Sequence, residues 1–293
     1  MQYLDGKKIQ KNILDELKTI VKLLDIKPTL AVISIGNNPV NDIFFKQKQK
    51  MCEEVGYEMI LHHYEEISES SLLTLIDKLN TDPKITSILL ELPIPTYLPS
   101  NKIKNRICPK KDVEGITLEN QMKVQTKNGG FIPCTALGII NLLNSYNINI
   151  DGENIVIINR SDIIGKPLLQ YFLSKDSTVT MCHSKTKNLQ NYLKNADIII
   201  SATGCPNLIN AKFLKDGSIV IDAGTCYQDE KIIGDVNREE ANPNIKYITP
   251  LIGGVGPMTI ASLAENILKS YYLQTKNKDL DESGFEHQIS FEV

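Results

Sequence analysis

Tryptophan is absent from the 293 residues, and aromatic side chains make up only 6% of them. Neither charge dominates: 32 Lys and Arg stand against 35 Asp and Glu, a formal net charge of -3. That near balance gives no reason to expect a nucleic acid or an anionic membrane surface as partner. No apolar run reaches bilayer-spanning length, and "MQYLDGKKIQ" lacks the apolar core of a signal peptide. The six cysteines (Cys52, Cys108, Cys134, Cys182, Cys205 and Cys226) form no C-x-x-C pair. Their scatter argues for free thiols in a reducing cytoplasm, and against a disulfide framework or a zinc site. No repeat of fixed period is visible, so a solenoid is not expected. The G-x-G-x-x-G fingerprint of dinucleotide-binding turns is missing as well.

What is present is a rhythm. Segments of period near 3.6 alternate with short β-branched apolar runs for most of the length. Residues 6–24 place Ile9, Ile13, Leu17, Ile20, Val21 and Leu24 on one helical face. "TLAVISIG" reads as a buried strand closed by a turn at Gly36-Asn37-Asn38-Pro39, and "NDIFFKQKQKMCEEVG" as a helix stopped by Gly56. "EMILHHY" is a strand, "SSLLTLIDKLN" a helix with a serine start, and "ITSILLEL" a strand again. A Lys- and Pro-rich stretch, 93–112, precedes the helix "TALGIINLLNSY". The second half continues with strands in "NIVIIN", "TVTMCH", "DIIISATG" and "SIVIDAG", and a last helix in "MTIASLAENILKSYY". This alternation predicts an α/β protein with parallel sheets, the second half a doubly wound nucleotide-binding sheet. The polar, aperiodic tail 276–293 is expected to be mobile.

In such sheets ligands sit beyond the carboxyl ends of the strands. Asn159-Arg160-Ser161, His183-Ser184 and Gly204 all fall at such ends. Arg160 is either a ligand for a phosphate monoester, which would favour NADP over NAD, or a solvated loop residue. "LIGGVGPMT" is either a close backbone approach to a flat ligand or a tight turn feeding a helix. Phe44 and Lys48 share a helix face. A helical lysine is usually a solvated charge; the alternative is one held over a cleft beside an aromatic platform. Adjacent His62 and His63 point to opposite faces of a strand, which speaks against a shared metal. Glu91, in "LLELPIP", either presents a carboxylate at a strand end or merely caps the strand in solvent. Asp112 and Glu114 alternate in the charged segment "KKDVEGI".

Taken in order, these stretches resemble one family, bifunctional methylenetetrahydrofolate dehydrogenase/methenyltetrahydrofolate cyclohydrolase, over about residues 1–272. The collinear markers are "KQKMCEEVG", "LPIP", "KDVEG", "PCTALG", "NRSDIIGKP", "VTMCHSKT", "ADIIISATG", "IDAG", "GDV" and "GGVGPMT". The resemblance implies an N-terminal α/β folate and catalytic domain, residues 1–138, completed by the C-terminal helix at 258–275. It implies a Rossmann-type NADP domain at 139–257, folate in the cleft between domains, and a homodimer. It assigns catalysis to Lys48 and Glu91, and substrate binding to Phe44, Leu92, Pro93, Glu114, Gly254 and Pro257. NADP binding falls to Asn159, Arg160, Ser161, Ser184 and Thr225, and no metal is implied.

Six sites depart from the family pattern. Phe44 matches a tyrosine that stacks on folate, and Glu91 a glutamine that partners the essential lysine. Glu114 matches the aspartate that reads the pterin ring, and Asn159 the glycine of a Gly-Arg-Ser turn. Gly224-Thr225-Cys226 stands for Gly-Ile-Asn, and Ile252-Gly253-Gly254 for Pro-Gly-Gly. Lys48 keeps the family identity. Asn tolerates left-handed backbone angles, which would let the turn survive, while its side chain takes space where the pyrophosphate would meet the backbone. The leading expectation is an NADP-linked dehydrogenase acting on methylenetetrahydrofolate, with weak or absent cyclohydrolase activity. The alternatives are a folate- or nucleotide-binding protein without catalysis, and hydride transfer on a different small substrate.

Overall fold

The computed structural model describes residues 1–36, 39–228, 231–239 and 241–275. The expected turn at Asn37-Asn38 and the tail 276–293 therefore lie outside the described residues. The chain opens with β1 (Gln2–Tyr3), α1 (Gly6–Val21), β2 (Thr29–Ile35), α2 (Pro39–Val55), β3 (Glu58–Tyr64), α3 (Glu69–Thr81) and β4 (Ser87–Leu90). Three helices follow: α4 (Ser100–Lys104), α5 (Leu118–Thr126) and α6 (Cys134–Ser145). Next come β5 (Asn154–Ile158), α7 (Gly165–Leu173), β6 (Thr178–Cys182), α8 (Leu189–Leu193), β7 (Ile198–Ser201) and β8 (Ile209–Asn210). The last elements are β9 (Ile219–Asp222), β10 (Cys226–Gln228), β11 (Lys231–Ile233), β12 (Val236–Asn237), β13 (Tyr247–Ile248) and α9 (Val255–Thr275). They form two compact α/β units, Lys11–Cys134 with the chain from Ile260 on, and Met1–Gln10 with Thr135–Thr259.

The first unit carries a three-stranded parallel sheet, order β3-β2-β4, in which Ala31 pairs with both Ile60 and Ile88. The central strand must be apolar on both faces, and "TLAVISI" is buried along nearly its whole length. β3 lies on the edge, where its residues are exposed or half-buried and none is fully buried. Ser68 caps α3 by accepting from the Ser71 N–H, two residues before the serine start expected at Ser70. Gly56 stops α2 with φ +97°, a backbone angle open to glycine. α4 and α5 went unrecognised in the sequence: α4 is five residues long, and α5 buries only Asn120, so neither shows an apolar stripe.

The second unit holds a six-stranded parallel sheet, order β1-β13-β9-β7-β5-β6. β5 is flanked by β6 on one side and β7 on the other, so the chain winds outward in both directions from it. The carboxyl end of β5 is therefore a topological switch point, the position where doubly wound sheets bind ligands. Val156, Ile158, Ile199, Val220 and Ile248 pack one core over this sheet. β1 was not legible, because two residues carry no periodicity; its register, Gln2 to Tyr247, comes from β13.

Candidate active site and nucleotide turn

In the first unit, α2 directs Lys48 inward. Its Nζ lies 2.5 Å from the Glu91 Oε1, and the two side chains are only 10% and 12% exposed. Glu91 follows directly on β4, and its backbone N–H donates to the Ile33 carbonyl, which fixes its place. Asp112 builds the next segment: its carboxylate accepts from the N–H groups of Ile116 and Thr117 and from the Asn120 amide. The tight turn at Gly115 has φ +59°, and a Cβ there would collide with the Phe131 carbonyl. That turn presents Glu114 beside Cys134, whose backbone N–H it accepts. Burial holds the Glu114 carboxyl above the usual carboxylate range, although the Lys48 charge and the Cys134 N–H pull the other way. One ammonium thus faces two carboxylates in a largely buried setting.

Cys134 and Asn266 complete this cluster, and neither was assigned a role from the sequence. The Asn266 Nδ2 donates to the carbonyls of Val113 (2.8 Å) and Ile132 (3.1 Å), tying α9 to the residue before Glu114 and to the stretch that leads into α6. Burial and the neighbouring Glu114 push the Cys134 thiol well above its ordinary range, which makes it a packing group rather than a nucleophile. The signal available for Cys134 was its place in "PCTALG"; Asn266, mid-helix among apolar residues, carried none. Phe44 lies one turn before Lys48 and is 40% exposed, Leu92 is half-buried, and Pro93 is exposed.

In the second unit the turn after β5 is tied by one side chain. The Asn159 Oδ1 accepts from the Ser161 N–H (2.7 Å), the Ser161 hydroxyl (2.7 Å) and the Gly165 N–H (3.1 Å). Its Nδ2 donates to the Ala202 carbonyl at 2.6 Å, linking the ends of β5 and β7. The expectation that Asn159 would serve by adopting left-handed angles is corrected: it has no positive φ, and its carboxamide does the work. Arg160 is exposed, with no side-chain partner among the described residues. After β6, Ser184, Lys185 and Lys187 are exposed, and no acid occurs until Asp197. An acid at that strand end would read a ribose hydroxyl, whereas its replacement by cations and a serine fits a 2′-phosphate.

Thr225 is exposed after β9, where buried side chains hold its loop. Asp222 accepts from the N–H groups of Gly224, Asp235 and Val236 and pairs with Arg238 at 3.0 Å. Burial raises its carboxyl, against the opposing pull of Arg238. Asp235 accepts from the Ser201 hydroxyl and the Thr203 N–H, both at 2.6 Å, and a Cβ on Gly224 would overlap its carboxylate. These two acids were hidden in "IDAG" and "GDV" as markers without roles. Gly254 is buried against Gly6, and Pro257 is half-buried in the first turn of α9.

Residues 4–114 match the profile of the tetrahydrofolate dehydrogenase/cyclohydrolase catalytic domain, and residues 133–275 that of its NAD(P)-binding domain. The chain belongs to the tetrahydrofolate dehydrogenase/cyclohydrolase family. It is 43% identical over 272 residues to the bifunctional protein FolD of Agathobacter rectalis, covering 91% of this chain and 98% of that one. The crystal structure of the FolD methylenetetrahydrofolate dehydrogenase/cyclohydrolase from Campylobacter jejuni superposes with a TM-score of 0.89 at 42% identity, covering 92% of this chain and 98% of that one. The Trypanosoma brucei dehydrogenase-cyclohydrolase, solved with NADP and an inhibitor, gives a TM-score of 0.90 at 28% identity, covering 94% and 98%. Membership of the tetrahydrofolate dehydrogenase/cyclohydrolase family spans both units, and so both clusters above.

Proposed function

We propose that this chain is an NADP-dependent dehydrogenase of one-carbon folate metabolism, oxidising methylenetetrahydrofolate to methenyltetrahydrofolate, with its cyclohydrolase step weakened. The observation that carries the last clause is the buried Lys48–Glu91 pair. NADP supplies the hydride acceptor; the methylene carbon loses hydrogen with its electron pair and becomes the methenyl cation. For that step the chain orients the two rings and keeps water out, and needs no base. Phe44, Leu92, Pro93, Glu114, Gly254 and Pro257 are the proposed folate contacts. Arg160, Ser161, Ser184 and Thr225 are the proposed NADP contacts, a set suited to phosphate by the Arg160 cation and the exposed Ser184 and Thr225 hydroxyls. Hydrolysis of the cation is different, because the attacking water must give up a proton. A lysine locked to a carboxylate positions substrate but activates water poorly.

Homodimer formation is also proposed. The β3 edge exposes Ile60 (42%) and Leu61 (43%), an apolar strand edge suited to pairing with a second copy. No helix among the described residues is long and apolar enough to cross a membrane. We place the enzyme in the cytoplasm, where its six free thiols would stay reduced. The deciding experiment follows reduced-cofactor absorbance with methylenetetrahydrofolate and NADP, with separate detection of methenyl hydrolysis. Dehydrogenase turnover with little hydrolysis is expected. Absence of cofactor reduction in a folded protein that binds folate would overturn the enzymatic reading.

A further inference from the structure

We propose that Asn159 determines how the chain holds a dinucleotide: its carboxamide occupies the Ser161 and Gly165 N–H groups, which would otherwise be open to the pyrophosphate. The inference rests on the NADP reading above and goes beyond it in assigning Asn159 a restraining role instead of a contact.

The hydrogen bonds at the start of α7 account for every donor of its first turn. The Gly165 N–H goes to the Asn159 Oδ1 (3.1 Å), the Lys166 N–H to the Ser161 carbonyl (3.0 Å), and the Leu168 N–H to the Ile164 carbonyl (3.1 Å). Pro167 has none. The Ser161 N–H is held by the Asn159 Oδ1, and the Ile164 N–H by the Ser161 hydroxyl at 3.2 Å. A helix N-terminus binds phosphate through N–H groups that lack a protein partner. Here the first-turn donors of α7, and the Ser161 and Ile164 N–H groups before it, have partners already. The carboxamide orientation is fixed independently, because the Ala202 carbonyl can only accept and so must face the Nδ2. Gly165 deepens the closure: a Cβ there would overlap the Asn159 carbonyl, so the helix starts hard against the strand end. Arg160 is left exposed and without a side-chain partner among the described residues, as its proposed contact with the 2′-phosphate requires.

Asn159→Gly removes the Oδ1 and releases the Ser161 and Gly165 N–H groups. Binding of ADP-ribose, NADP and 2′-AMP is measured by calorimetry on the full chain, alongside its thermal melt. ADP-ribose and NADP, which share the pyrophosphate, should each tighten about tenfold, while 2′-AMP, which lacks it, should not change. A variant that melts like the wild type and binds ADP-ribose and NADP no tighter overturns the proposal. Should Asn159→Gly fail to fold, amide NMR of the wild type decides. Small shifts of the Ser161 and Gly165 N–H resonances on NADP saturation support the proposal, and large ones overturn it. If the wild type binds no dinucleotide while Asn159→Gly binds ADP-ribose, the NADP reading falls and this inference stands. If neither binds, both fall.

Discussion

The two candidate regions reach their order by opposite means. Around Lys48, three ionisable groups are gathered at the end of a short parallel sheet, where an ion pair joins Lys48 to Glu91 and burial outweighs the pull of Lys48 on Glu114. Around Asn159 the ordering groups are neutral, a carboxamide, a hydroxyl and backbone N–H groups, and hydrogen-bond geometry decides. A charged cluster of this kind changes chemistry when one carboxylate becomes an amide of the same shape. A neutral turn changes binding when one acceptor is removed. Burial at one site and exposure at the other also separate their responses to salt, since exposed charges are screened and buried ones are not.

The largest effect is expected from Glu91→Gln, which keeps the shape and removes the charge. Methenyl hydrolysis should rise about a hundredfold, the scale of a positioned proton-transfer group, with a smaller change in dehydrogenase rate. Robust hydrolysis by the unmodified protein, lost in this variant, would make Glu91 itself the base. On the nucleotide side, Arg160→Ala should weaken NADP by about ten- to a hundredfold and NAD distinctly less. Equal losses for both cofactors, read by fluorescence titration of the reduced forms, would end the 2′-phosphate role of Arg160. Glu114→Asp withdraws the carboxylate by one methylene, roughly 1.5 Å. If folate is the native ligand, turnover with tetrahydrofolate substrates should improve several-fold, whereas a fall points to a changed ligand.

The smallest effect concerns stability. Because burial raises the Glu114 carboxyl in the fold, folding favours its neutral form. That contribution is fully present below the ordinary glutamate range and is lost as pH climbs through the raised value. Glu114→Gln, neutral at every pH, should therefore raise the melting temperature at pH 7 and lose that advantage as the pH falls toward 4. A melting curve series from pH 4 to 8 showing the opposite slope would place Glu114 in a site that favours its charge.

Much of this was legible before any coordinates. Strand positions followed from β-branched runs, because a strand buried on both faces must be largely apolar, as β2 and β5 are. α2 followed from a stop at Gly56 and α3 from a serine start, although its cap proved to be Ser68 instead of Ser70. Candidate site residues were also nameable in order, from Phe44 to Pro257, since their motifs are collinear with those of the family. What sequence could not supply was any property created by distance. The contact of Lys48 with Glu91 joins α2 to the end of β4, and nothing in either segment states that both side chains are buried there. Cys134 and Asn266 gain their places by pairing across 132 residues. Asn159 was read by its backbone tolerance, yet its function in the fold lies in a carboxamide that reaches Ser161, Gly165 and Ala202 at once. The sequence by itself determined which segments are strands and helices and which residue types line each strand end, because periodicity and caps are local. Only the tertiary structure decided which charges meet, which donors are already satisfied, and how deeply each is buried, because desolvation and hydrogen-bond geometry depend on neighbours brought from distant parts of the chain.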